Sequence, residues 1–108
     1  MKRIKETFPD MEGFEWDPGN INKNWEKHKV LFSECEEAFL NEPLLILYDN
    51  KHSNIEQRYH AIGRTNTNRI LFIAFTARNE KIRTISARNA NKKEKGVYNE
   101  EVKKITRI

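Results

Sequence analysis

The spacing of apolar positions along the chain changes once. Up to Pro43 they recur at helical intervals, and beyond it they alternate or run together as strands do. Phe14-Glu15-Trp16 reads as a short strand. Asp17-Pro18 then supplies an N-cap type of residue and a proline whose missing N–H costs nothing at a first helical position. A helix is expected over 18–29, with Ile21, Asn24, Trp25 and His28 along one face. Ser33-Glu34-Cys35-Glu36 reads as a capping box, in which a serine hydroxyl and a glutamate carboxylate satisfy free backbone donors. The helix it opens turns Cys35, Ala38 and Phe39 inward and stops at Pro43. Trp16 and Trp25 read as core residues.

Four extended runs follow, at 44–48, 57–64, 70–76 and 81–88, and the turn-rich spacers between them have lengths that suit a β-meander. Residues 70–75, Ile-Leu-Phe-Ile-Ala-Phe, are apolar on both faces and read as a central strand. A last helix is expected over 91–104, with Tyr98, Val102 and Ile105 on one stripe and Gly96 weakening its interior. The order β-α-α-β-β-β-β-α predicts an α+β fold. Its sheet is four- to five-stranded and mainly antiparallel, with two N-terminal helices and one C-terminal helix. A length of 108 residues fits one domain over 14–108, preceded by a flexible lead-in at 1–13 that Phe8 partly pins.

Composition adds a charge asymmetry. Residues 1–77 carry 10 Lys+Arg against 12 Asp+Glu, whereas 78–108 carry 10 against 4, so a net charge of +4 is a −2 segment followed by a +6 segment. A positive field over one end favours polyanions, although a solvated basic helix has the same composition. The single cysteine, Cys35, forms no internal disulfide, and no Cys/His group has zinc-ligand spacing. The basic start lacks an apolar h-region and no run reaches transmembrane length, so the chain reads as soluble and cytoplasmic.

The chemistry concentrates in Ile82-Arg83-Thr84-Ile85-Ser86-Ala87-Arg88, a strand that ends in arginine just before a basic helix. A guanidinium offers a planar fork of donors with permanent charge, which suits phosphate oxygens. Glu12, Glu15 and Asp17 are scattered by strand alternation and helix capping, so no metal site is expected. No glycine-rich phosphate loop occurs, and no cofactor is expected.

Taken in order, these residues resemble a family. Phe14-Glu15-Trp16-Asp17-Pro18, Asn24, Lys27-His28, Phe32, Phe39-Leu40, Pro43, Glu56-x-Arg58-Tyr59, Ile62-Gly63-Arg64, Ile82-Arg83-x-Ile85-Ser86-Ala87-Arg88, Glu94 and Tyr98 are similar to the BrnT toxins of bacterial type II toxin–antitoxin systems. The resemblance implies a compact RelE-like fold and a ribonuclease activity that inhibits translation. It also implies neutralisation by a BrnA-type antitoxin that binds operator DNA. Lys29 stands where the family usually has glycine, so the end of the first helix must strain or take another geometry.

Metal-independent RNA cleavage needs a base for the 2′-hydroxyl, positive charge for the pentacoordinate phosphate and an acid for the leaving 5′-oxygen. Arg88 and Arg64 are assigned to the phosphate, with Arg58 or Arg83 as a further contact and Ser86 as a hydrogen-bonding neighbour. His28, inside a matched motif, is assigned proton transfer beside Lys27, with Glu56 as a base or as an orienter of arginine. It reads equally as a packed histidine beside Trp25. His52 and His60 read as bystanders. Tyr98 has two readings, a base-stacking platform and a core anchor. The alternative function on the same scaffold is a noncatalytic RNA- or protein-binding module, and a third is a structural subunit that docks an acidic partner.

Overall fold

The computed structural model describes residues 4–52 and 56–106. In chain order the elements are α1 (Ile4–Thr7), β1 (Gly13–Phe14), α2 (Lys23–His28), α3 (Phe32–Leu40), β2 (Leu45–Tyr48), β3 (Arg58–Arg64), β4 (Ile70–Arg78), β5 (Lys81–Asn89) and α4 (Lys92–Thr106). The class is α+β, as the change of apolar spacing predicts. The five strands form one sheet in the order β1-β5-β4-β3-β2, in which β1 runs parallel to β5 and every other neighbour is antiparallel.

The strand expected to be central is β4, between β3 and β5. Alternation sends Leu71, Ile73 and Phe75 to one face, where α3 covers them with Cys35, Ala38 and Phe39. Phe39 meets Phe75 edge-on at 5.0 Å and Phe14 at 5.7 Å, and Val30 and Leu44 close the same core. The helix comes so near that a Cβ on Gly63 would lie 2.5 Å from the Ala38 carbonyl oxygen. Burial pushes the Cys35 thiol up to about 12, so it stays protonated and acts as packing, as its place on the inward stripe suggests.

Residues 8–12 of the lead-in make contacts with the sheet. Phe8 packs edge-on against Tyr59 at 5.0 Å, Met11 joins the core, and the Glu12 N–H donates to the Glu80 carbonyl. Residues 1–3 lie outside the described residues.

Both helix starts also differ from expectation. The first helix begins at Lys23 rather than at Pro18, because Asp17 and Asn20 form local hydrogen bonds that compete with helix. Asp17 Oδ1 accepts from the Gly19 N–H, and Asn20 Oδ1 accepts from the Asp17 N–H. The second begins at Phe32, with Leu31 as its cap; the Leu31 N–H donates to the Glu34 carboxylate at 3.0 Å, and Ser33 lies inside the first turn.

Trp25 is 45% exposed, against the expectation of a core residue. The reason lies in the edge of the sheet. β1 pairs only with Lys81 and Ile82, which leaves the rest of β5 with unpaired backbone groups. The Ala87 N–H donates to Asn24 Oδ1, Lys23 Nζ donates to the Ile85 carbonyl, and Asn20 Nδ2 donates to the Thr84 carbonyl. The docking side of α2 is therefore polar, and Asn24 takes the buried position while Trp25 faces outward. Trp16 behaves as expected: it packs against the core and donates its indole N–H to Glu36.

Lys29 closes α2 in the left-handed conformation that ordinarily favours glycine, at φ 56. Arg69 then collects the loose carbonyls of that helix end. Its guanidinium donates to the Lys29 and His28 carbonyls and to Glu34, while Nε donates to Asn89. One side chain thus ties α2, α3 and β5 together.

Replacing Gly63 with alanine should destabilise the fold by about 1–3 kcal/mol, because the obstacle is helix backbone rather than a movable side-chain tip. Urea unfolding of the two proteins measures this.

Candidate active site

With α3 sealing one face of the sheet, the polar residues of β3 must emerge on the other. Pairing along β3 is unbroken, so Arg58, His60, Ile62 and Arg64 share that face. The neighbouring strands continue it in rows. Phe72 lies between Ile62 and Arg88, Ala74 between His60 and Ser86, and Thr76 between Arg58 and Arg83. On the outer side, Leu47 lies beside His60, and the Asp49 N–H donates to the Arg58 carbonyl.

Strict alternation would place Arg83 and Arg88 on opposite faces, since they are five residues apart. A bulge resolves this. Ala74 pairs with Ser86 and Phe75 with Thr84, so Ile85 is passed over and Arg83 turns to the side of Ser86 and Arg88.

The last helix crosses one end of this face. Asn91 and Glu94 cap its start reciprocally: the Glu94 N–H donates to Asn91 Oδ1 and the Asn91 N–H to Glu94 Oε1. The Glu94 carboxylate also receives both terminal nitrogens of Arg88, at 2.8 and 3.0 Å. That fork raises the guanidinium of Arg88 above its ordinary value and holds the Glu94 carboxyl below its own, against the opposing effect of burial. Arg88 also lies 4.5 Å over the Phe72 ring, so the guanidinium is stacked and forked in one orientation while its side chain stays 39% exposed. One turn further on, the Tyr98 hydroxyl donates to the Pro43 carbonyl at 2.8 Å. Burial pushes that hydroxyl up and the charge of Arg64 pulls it down.

The residues singled out in the sequence fall into four groups. Arg58, Arg64, Ser86 and Arg88 share the open face. Arg83 is on that face but is already held by Asp17 at 2.6 Å and Glu15 at 2.9 Å, which secures the chain between β1 and α2. Tyr98 is 1% exposed, so its ring offers no surface to a base. Lys27, His28 and Glu56 lie elsewhere. Lys27 and His28 are exposed at the end of α2, and His28 is engaged through its carbonyl by Arg69, on the α3 side of the sheet. Glu56 pairs with Arg78 at 2.9 Å. No described contact joins any of these three to Arg88 or Arg64.

Two histidines set aside in the sequence belong to this face. The His60 ring lies 4.7 Å from Phe72, on the ring that Arg88 also covers. Its Nε2 is 3.2 Å from Asp49 Oδ2, and the same oxygen is 2.9 Å from Nδ1 of His52. Burial pushes the Asp49 carboxyl up, but the hydrogen bond from His52 and the charges of both histidines outweigh it and hold the carboxyl below its ordinary value. The parity of His60 with Arg58 and Arg64 was a signal for its placement. The meeting of His52, Asp49 and His60 depends on tertiary structure. Among the described residues no group of three or more His, Cys, Asp or Glu is arranged to hold a metal ion.

Residues 16–94 match the family model described as ribonuclease toxin, BrnT, of type II toxin–antitoxin systems. The chain belongs to the BrnT family. The match runs from Trp16 through strands β2 to β5 to Glu94, the partner of Arg88. A BrnT chain is a ribonuclease toxin, with RNA as its target and an antitoxin protein as its partner. No curated protein matches the chain. No helix among the described residues of this BrnT chain is long and apolar enough to cross a membrane.

The Arg88–Glu94 pair carries a pH dependence of stability. The folded carboxyl lies below the ordinary 4.5, so the pair's contribution is complete above that value and is lost as pH falls through the lower folded value. Wild type should exceed Glu94→Gln in stability at neutral pH, and the gap should close in acid. Urea unfolding of both proteins at neutral pH and near the acid limit of folding reads the difference.

Proposed function

We propose that this chain is a metal-independent endoribonuclease that cleaves RNA on the arginine-bearing face of its sheet. Cleavage inhibits translation in the cytoplasm. A BrnA-type antitoxin that binds operator DNA neutralises it by covering that face and α4.

The observation that carries this reading is the fixed orientation of Arg88, stacked on Phe72 and forked by Glu94 with its side chain still 39% exposed. A preorganised guanidinium stabilises the extra negative charge of a pentacoordinate phosphate without reorganising during reaction. Arg58 and Arg64 stand six residues apart on one strand, about 20 Å at the usual rise. They therefore serve phosphates on either side of the one at Arg88, along an extended single strand. Ser86 donates to the phosphate beside Arg88. Arg83 and Tyr98 act as scaffold, for their partners are within the protein. The acid and base roles first given to His28, Lys27 and Glu56 find no support in their positions away from Arg88.

The test is a defined RNA incubated with the partner-free chain in excess chelator, beside its Arg88→Ala variant. The wild type should leave 2′,3′-cyclic or 3′-phosphate ends, and the variant should be slower by about 10²–10³-fold while keeping its circular dichroism spectrum. A folded variant that cleaves as fast as wild type would remove Arg88 from the site. Binding without cleavage by the wild type would assign the chain to the noncatalytic alternative.

A further inference from the structure

Asp49 is an unusual residue on this face. It is 8% exposed, and both of its oxygens are occupied. Oδ1 accepts the backbone N–H groups of Lys51 and His52, which shapes the turn after β2. Oδ2 receives two imidazoles, Nδ1 of His52 at 2.9 Å and Nε2 of His60 at 3.2 Å. Turn formation needs only the first oxygen. The second draws together rings from two separate elements, and each ring keeps its other nitrogen for something else.

We propose that His52 and His60 are the acid–base pair of the RNA cleavage, with Asp49 as the positioning residue that orients both rings. The proposal rests on the endoribonuclease reading above and names the groups that move its protons. His52 is the more open ring, with 61% of its side chain exposed, and its Nε2 is not held by Asp49. His60 is 28% exposed and shares the Phe72 ring with Arg88, so a phosphate at Arg88 lies next to it. Nε2 of neutral His52 takes the 2′-hydroxyl proton as O2′ bonds to phosphorus. The bond from phosphorus to O5′ breaks, and protonated His60 gives O5′ a proton from the nitrogen not held by Asp49. The products are a 2′,3′-cyclic phosphate and a 5′-hydroxyl, with one proton accepted and one donated.

The charges around the pair suit this division. One carboxylate faces two rings, so it stabilises one imidazolium and leaves the second opposed by a like charge. Arg58, beside Asp49 on β3, adds to that opposition, and Arg88 does so from beyond Phe72. Glu94 of α4 acts on His60 in the opposite sense but is forked by Arg88, and Glu56 is engaged by Arg78. Facing one shared carboxylate, the two imidazoles supply the proton acceptor and the proton donor of the proposed step.

The experiment measures cleavage of a single-stranded RNA oligonucleotide in excess chelator across pH, for wild type, His52→Gln, His60→Gln and His52→Ala. Wild type should give a bell-shaped profile. Each glutamine variant should lose one limb and fall by about 10²-fold or more, with oligonucleotide affinity nearly unchanged. His52→Ala should regain cleavage when free imidazole is added, which a purely structural histidine would not allow, and this exposed site decides the matter even if His60→Gln fails to fold. Cleavage by both folded glutamine variants at the wild-type rate with both limbs intact would overturn the acid–base pair while leaving the endoribonuclease reading in place. No cleavage by the wild type would overturn both.

Discussion

The close approach of α3 to β3 governs the rest of the molecule. Gly63 has no side chain, and the Ala38 carbonyl occupies the space that one would fill. The helix therefore lies flat against the sheet and seals one face with Cys35, Ala38 and Phe39. Because side chains alternate along a strand, closing that face commits the polar positions of β3 to the other. Arg58, His60 and Arg64 are assembled by a packing constraint on the opposite side of the sheet, and a one-residue slip of β3 would dismantle core and site together.

On the proposed function, charge in this protein divides between holding the fold and meeting RNA. Arg69 serves the fold, joining two helix ends to the end of β5 through four acceptor groups, a task that a planar fork performs and a lysine does not. Arg83 serves it too, by binding Glu15 and Asp17. Arg88 holds the fold through Glu94, which anchors the start of α4 and fixes the guanidinium over Phe72, and is the cation proposed to meet a phosphate. The excess of positive charge in the last third of the chain therefore overstates the charge open to a polyanion. The proposed RNA contact relies on the few cations fixed on one face.

The order of elements along the chain, the central strand, the inward residues of α3, the role of Cys35 and the shared face of Arg58 and Arg64 were legible in the sequence, since each follows from periodicity over several residues, whereas the parallel seat of β1 beside β5 was not. The rest was set by contacts distant in sequence. Trp25 faces outward because Asn24 is needed at the open edge of β5, some sixty residues away. Arg83 joins Arg88 through a bulge at Ile85, which no alternation pattern announces. Asp17 and Asn20 delay the first helix by a hydrogen-bonded turn that competes with the proline signal. His28 attracted attention through its place in a motif, whereas the histidines on the arginine face are joined by Asp49, whose role appears only when β2, its turn and β3 are packed together.

The central claim is that RNA lies on the sheet face opposite α3, and the most direct measurement is an NMR titration with a single-stranded RNA whose 2′-hydroxyls are methylated to prevent cleavage. The largest shifts should fall on Arg58, His60, Arg64, Phe72, Ser86 and Arg88 and on the first turn of α4. Shifts concentrated on Trp25, Lys27 and His28, with the arginine face unmoved, would contradict the account.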